Sequence, residues 1–379
     1  MRLVEEFRDP RAVRALVHEL ERVVTRPWTL MEVCGGQTHA LLRFGIDRLL
    51  PEGLELLHGP GCPVCVTPAE IIDQAAALAA RPGVTLCTFG DMLRVPGRSR
   101  DLLAARADGS DVRVVYSPID ALRLAQAEPR REVVFLAVGF ETTAPSTALA
   151  VLQAARAGVT NFSLLVAHVR VPPALAALLA DPGCRIRGFL AAGHVCTVMG
   201  AAEYEPLAVR HRVPIAITGF EPVDLLRGIL DCVEQLESGR HEVTNLYARS
   251  VRAEGNPHAR ALLDEVFASA SVRWRGLGEI ADSGLRLRPA YAAFDAARRL
   301  DLATPEPAAG ADEPRCSSGL VLQGRLRPCD CPEFGRGCTP DRPLGAPMVS
   351  SEGACAAYFR YARREPQARR DGTHGAEPT

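Results

Sequence analysis

Between residues 29 and 218, short apolar runs alternate with stretches whose apolar positions recur every three or four residues. The runs at 29–33, 54–57, 84–89, 112–116, 132–138, 162–168, 186–192 and 213–218 read as strands, with helices between them. Strands spaced by helices pair in parallel, because each helix carries the chain back to where the next strand starts. The predicted class is α/β. The strands could form one sheet or two; the charged stretch Ala127-Glu128-Pro129-Arg130-Arg131 favours two lobes, 28–128 and 129–222, facing a cleft. Ahead of them, residues 1–26 place Val13, Leu16, Val17, Leu20, Val23 and Val24 on one stripe, which predicts an amphipathic helix packed on another element. Beyond 222 the period becomes mostly helical (223–238, 258–269, 289–301), with a strand pair near 243–252 and 271–275. Residues 303–314, rich in Ala, Pro, Glu and Asp, read as a linker, and 367–379 as a disordered polar tail. Residues 223–366 are then a third domain, mostly helical or irregular.

In a parallel sheet the loops leaving the carboxyl ends of strands gather at one edge, where ligands bind. Two such loops stand out. The first is Cys34-Gly35-Gly36-Gln37-Thr38-His39, followed by a helix predicted at 40–50 and opened by Thr38. The second is His58-Gly59-Pro60-Gly61-Cys62-Pro63-Val64-Cys65-Val66-Thr67-Pro68, followed by a helix whose start, Thr67-Pro68-Ala69-Glu70, has the form of a capping box. Cys62 and Cys65 sit just ahead of a helix N-terminus, which favours thiolate, and their spacing allows a short disulfide or two metal bonds. Cys34 stands alone beside two glycines that leave room at the sulfur, a setting for iron or copper more than for a closed zinc site. The plainer alternatives are a zinc half-site or inert buried cysteines. Other strands also end on polar residues: Asp91, Glu141, His168, His194 and Glu221. Glu141 and His194 are candidates for a site, whereas Thr142 and Thr143 read as helix caps. Cys87 and Cys232 read as small buried hydrophobes.

Composition narrows the function classes. All 44 Lys+Arg residues are Arg, which excludes a phosphate-loop lysine or a Schiff-base lysine. The net charge of −1 offers nothing to nucleic acid or to an anionic membrane surface. Residues 1–24 are charged rather than signal-like, and no apolar run reaches spanning length, so the expected location is the cytoplasm. In that reducing compartment, 12 cysteines point to metal or redox use rather than a disulfide framework. Five of them, Cys316, Cys329, Cys331, Cys338 and Cys355, lie in a Pro- and Gly-rich segment with little apolar periodicity. Such a segment needs a metal to order it, and by chemistry alone zinc and an iron–sulfur cluster are level.

The two cysteine loops, in this order and separation, resemble the HypD family of NiFe-hydrogenase maturation factors. So do Gly139-Phe140-Glu141-Thr142-Thr143-Ala144-Pro145, Cys331-Pro332-Glu333-Phe334-Gly335, Cys338-Thr339-Pro340 and Met348-Val349-Ser350-Ser351-Glu352-Gly353-Ala354-Cys355. The resemblance covers about residues 30–358. It departs at Gln37, where the family commonly has His, and at Pro347, where many members have a further Cys. It implies a cytoplasmic scaffold for assembly of the Fe(CN)2CO centre of NiFe-hydrogenase. Cys34 would hold the iron jointly with a cysteine of a HypC-type chaperone, supported by His39. Cys62 and Cys65 would cycle between dithiol and disulfide, and Glu141, within a matching motif, would be a further catalytic residue. A 4Fe-4S cluster on Cys316, Cys331, Cys338 and Cys355 would make the third domain a cluster domain and reduce that pair, with Cys329 a spectator. A HypE-type partner would supply cyanide. A rival class is a cluster-linked thiol–disulfide oxidoreductase acting on other proteins; a third is a zinc-stabilised binding module.

Overall fold

The computed structural model describes residues 4–302 and 315–362. The linker predicted at 303–314 and the tail at 367–379 lie outside the described residues. The strands are β1 (Trp28–Glu32), β2 (Leu54–His58), β3 (Val84–Thr88), β4 (Val112–Val114), β5 (Glu132–Gly139), β6 (Phe162–His168), β7 (Gly188–Ala192), β8 (Ile215–Thr218), β9 (Val243–Asn245), β10 (Phe267–Trp274) and β11 (Gly278–Leu287). They form two parallel sheets, ordered β2-β1-β7-β8-β9 and β4-β3-β5-β6, and an antiparallel hairpin, β10-β11. The α/β class with two parallel-sheet lobes is as the alternation predicted. Both lobes bury their central strands on both faces, so β3 and β7 are buried at every position. Phe135, Phe162 and Phe189 are fully buried there, each contributing roughly 1.5–3 kcal/mol.

The partition of the chain differs from the expected one. The first sheet takes β1 and β2, loses the chain to the second sheet for four strands, and recovers it at β7. The charged stretch at 127–131 is therefore a crossover inside the second sheet and not a boundary. Its Arg131 ties that sheet together, donating to Thr85 and pairing with Asp111, both at 2.8 Å. The residues after 222 do not make one separate unit either. The helix Pro222–Glu237 packs on β7 and β8, and β9 extends the first sheet. The helix Pro257–Val266 packs on the helix Ala144–Arg156 of the second lobe, and β11 packs on β6. The strand pair expected at 243–252 and 271–275 is replaced by pairing of β9 with β8 and of β10 with β11. Small Ala and Ser residues at 268–271 hid the alternation of β10.

Four helices bear on the site: α1 (Pro10–Val23), α2 (Gly35–Arg43), α3 (Pro63–Val66) and α4 (Ala69–Ala79). Asp9 caps α1 and Leu20 is buried from it; the helix packs on Pro222–Glu237. The helix expected at 40–50 starts five residues earlier, with Cys34 itself at the N-cap, and ends at Arg43, two residues before Gly45, whose φ is 66°. The capping box expected at Thr67 does not form. Thr67 closes α3 instead, its hydroxyl donating to the Pro63 carbonyl at 2.8 Å, and Glu70 pairs with Arg98 and Arg273. Among the described residues no helix is long and apolar enough to cross a membrane.

Candidate functional site

In the first sheet β2, β1, β7 and β8 are neighbours, so the residues that follow them share one edge. That edge brings together Cys62, Cys34, His194 and Phe220. The strand order reverses between β1 and β7, the switch point at which open parallel sheets bind ligands. Cys34 and His194 flank it. Cys34 Sγ lies 3.7 Å from His194 Nδ1, and the Phe220 ring lies tilted by 43° against the His194 ring with centroids 5.4 Å apart. Burial pushes the Cys34 thiol up, against backbone N–H groups of Gln37 and Gly36 that favour thiolate. Burial pushes His194 down. Both shifts favour the uncharged forms of the thiol and the imidazole.

The two cysteine loops are pressed together. Gly35 N–H donates to the Gly61 carbonyl at 2.9 Å, and a Cβ at Gly61 would stand 2.2 Å from Cys34 N. Only glycine fits that approach. Cys62 and Cys65 are joined as a disulfide with Cα atoms 5.2 Å apart. Cys62 caps α3, and its sulfur accepts the Cys65 N–H at 3.2 Å. Both cysteines are buried, and α3 also packs on β5 of the second lobe.

His39 does not face Cys34. Its Nε2 meets the Tyr361 hydroxyl at 3.1 Å, and burial lowers its basicity. The imidazole beside Cys34 Sγ is that of His194. The departure at Gln37 has a structural account: Nε2 donates to the Ala191 carbonyl at 3.1 Å and to Thr218 Oγ1 at 2.7 Å, which anchors α2 to the ends of β7 and β8.

Glu141 is buried at the end of β5. Its Oε1 accepts the Val171 N–H at 2.9 Å, while Oε2 has no partner among the described residues. Its charge acts on Cys196 and Tyr204. Burial pushes its carboxyl from an ordinary 4.5 up to about 7. A folded-state rise of this sign stabilises the protein fully below the unfolded value and is lost as pH climbs through the folded one. The Glu141 contribution should therefore fade between about pH 4.5 and 7, by about 3 kcal/mol in all. In Glu141→Gln that slope should vanish, which denaturant melts at several pH values will show; an unchanged slope assigns it elsewhere.

Cys316, Cys331, Cys338 and Cys355 line one cavity of about 20 Å³, together with Phe334, Pro347 and Met348. Cys355 is pushed up by burial first and then by Cys316, Cys338 and Cys331. Leu344 N–H donates to Cys338 Sγ at 3.4 Å. Cys329 is exposed outside the cavity, its sulfur directed at Asp330 Oδ1 at 3.7 Å. Among the described residues no three His, Cys, Asp or Glu side chains converge to hold a single metal ion. Cys87 and Cys232 are buried in the cores, as read.

A sequence model described as "HypD: Hydrogenase formation hypA family" matches residues 11–362. The chain belongs to the HypD family. The Azotobacter vinelandii hydrogenase maturation factor HypD is 50% identical over 373 residues, covering 96% of this chain and 98% of that one. The Rhodobacter capsulatus HypD is 47% identical over 95% of this chain and 98% of its own. The Escherichia coli (strain K12) HypD is 46% identical over 97% of this chain and 100% of its own. The resemblance carried by the cysteine loops thus extends through the whole chain, and the protein stands among hydrogenase maturation factors.

Proposed function

We propose that the protein scaffolds assembly of the Fe(CN)2CO centre of a NiFe-hydrogenase, with Cys34 holding the iron as substrate. The observation that carries this reading is the course of residues 345–361. Gly345, Pro347, Met348 and Cys355 line the four-thiol cavity. The turn Ala346–Met348 packs on α3, which carries the disulfide. Glu352 lies against Gly35, beside Cys34; a Cβ on that glycine would meet Glu352 Cβ at 2.4 Å. One short stretch touches all three thiol sites, so chemistry at one is in reach of the others.

Four thiols line this cavity, the number that a 4Fe-4S cluster takes. Cys316, Cys331, Cys338 and Cys355 would hold it, and when bound it supplies one-electron chemistry. The remaining roles belong to the chain's own residues. A Cβ at Gly36 would stand 3.2 Å from the Phe220 ring and 3.6 Å from Cys34 Sγ, so this glycine lets the ring close in beside the sulfur. His194 Nδ1 is placed to take the thiol proton when a metal displaces it. Reduction of Cys62–Cys65 takes up two electrons and two protons. A small HypC-type chaperone would share the iron through its own cysteine, and a HypE-type partner would supply cyanide. Action as a general disulfide reductase is the weaker reading, because Cys62 and Cys65 are 3% and 1% exposed and closed to a protein substrate.

The test is an infrared spectrum of the protein purified from hydrogenase-making cells. Stretching bands of iron-bound cyanide and carbon monoxide are expected, and their absence sinks the scaffold reading. A second expectation concerns the dithiol. Cys62→Ser and Cys65→Ser should each stop maturation while iron at the four-thiol site is kept. In the parent, alkylation should reach this pair only after reduction. Maturation at parental level in both variants rules out a redox role.

A further inference from the structure

We propose that Glu32 is a positioning residue that clamps the Cys34 loop and, through His58 and Tyr358, holds it in register with the C-terminal helix Ala354–Tyr361. This deepens the reading of Cys34 as the iron-holding thiol and rests on it. Glu32 ends β1 among Leu30, Met31 and Val33, and is 0% exposed. A carboxyl group there costs free energy unless its oxygens are bonded, and these are. Oε2 accepts the Cys34 N–H at 2.9 Å. Oε1 accepts the Thr38 hydroxyl, and it lies 2.7 Å from His58 Nδ1. The β1–β2 register puts Glu32 directly opposite His58.

The donors set the direction of the chain. If Glu32 is ionised it only accepts, and the His58 tautomer that fits carries the hydrogen on Nδ1. His58 Nε2 is then the acceptor for the Tyr358 hydroxyl, 3.2 Å away. The Tyr358 ring also meets the imidazole edge-on, with centroids 5.3 Å apart. Tyr358 in turn lines an open cleft with Trp28, Asp47 and Arg327. A bonded path therefore runs from the surface, through His58 and Glu32, to the amide of Cys34.

The need for a clamp lies in the loop. Gly35-Gly36 carry no side chains; the turn is held by the Gly35 N–H to the Gly61 carbonyl, by Gln37, and by Glu32, whose one carboxyl group bonds both Cys34 and Thr38. Without it the glycine turn can shift, and the sulfur leaves its place beside His194.

The test measures alkylation of cysteines in the full-length chain, reduced and without iron, read residue by residue by mass spectrometry. Because no iron is involved, the outcome judges the clamp whether or not Cys34 holds metal. Glu32→Gln has the same size but offers an NH2 where an acceptor is needed. Cys34 should then alkylate about tenfold faster, the effect of losing one hydrogen bond. Cys232, fully buried in Pro222–Glu237, should not change. Tyr358→Phe, which removes only the outer link, should give a smaller rise. His58→Asn keeps a donor near the Nδ1 position and should behave like Tyr358→Phe. A Cys34 rate within about twofold of the parent in Glu32→Gln, or Cys34 and Cys232 rising together, overturns the proposal. If Glu32→Gln does not fold, an unchanged Cys34 rate in Tyr358→Phe overturns it.

Discussion

Cys34→Ala purified from hydrogenase-making cells should show no infrared bands of iron-bound cyanide or carbon monoxide, and should retain the absorption of the four-thiol site. The expected loss of the substrate iron is greater than the 10- to 100-fold typical of removing a group that merely supports a ligand. The backbone of residue 34 carries the local structure without the sulfur. Its N–H bonds Glu32 at 2.9 Å, and its carbonyl accepts from Gln37 at 2.8 Å and Thr38 at 3.0 Å. Removing the sulfur should therefore destabilise the fold by only about 1–2 kcal/mol, as for a small core truncation. His194 offers one imidazole nitrogen there and no thiolate. Bands that persist at parental strength in Cys34→Ala sink the assignment of the iron to this sulfur.

The second large effect separates Cys331 from Cys329, two residues apart in sequence. Cys331 lines the cavity with Cys316, Cys338 and Cys355, whereas Cys329 faces solvent in the turn Pro328–Asp330. The turn sets this difference. Its backbone bond from Cys331 N–H to the Pro328 carbonyl, 3.2 Å, folds the chain between the two sulfurs so that one turns inward and the other out. Cys331→Ser should lower iron and acid-labile sulfide from about four of each per chain to a degraded remnant. Cys329→Ser should leave both counts unchanged. Iron and sulfide analysis after anaerobic purification decides between them. The reverse pattern makes Cys329 the ligand and requires this turn to refold around the metal.

Much of the architecture was legible because parallel strands are buried on both faces and so appear as plain apolar runs. β6 was read to the residue, and β1, β2, β3 and β5 to within a residue at each end. The loops were legible for a related reason. Gly35 and Gly61 are needed where two backbones touch, and that need marks Cys34 and Cys62 in the sequence itself. Hairpin β10–β11 was only partly visible, since Ala and Ser at alternating positions give a weak period.

The amino-acid sequence by itself determined where the strands of the two parallel sheets lie as far as β8, which loops carry the thiols, and that the chain is of the α/β class, because these follow from local period and local backbone demands. The tertiary structure alone decided which strands are neighbours. Periodicity shows that a strand is buried but not which strand lies beside it, so a boundary drawn at 127–131 split β3 from its partner β5. The same gap hid the partners of Cys34. His194 reaches it because β7 lies against β1, and Glu32 meets His58 because β2 lies on the other side. Both contacts belong to the order of strands in the sheet, which is settled by how the helices pack across it rather than by any single stretch of chain.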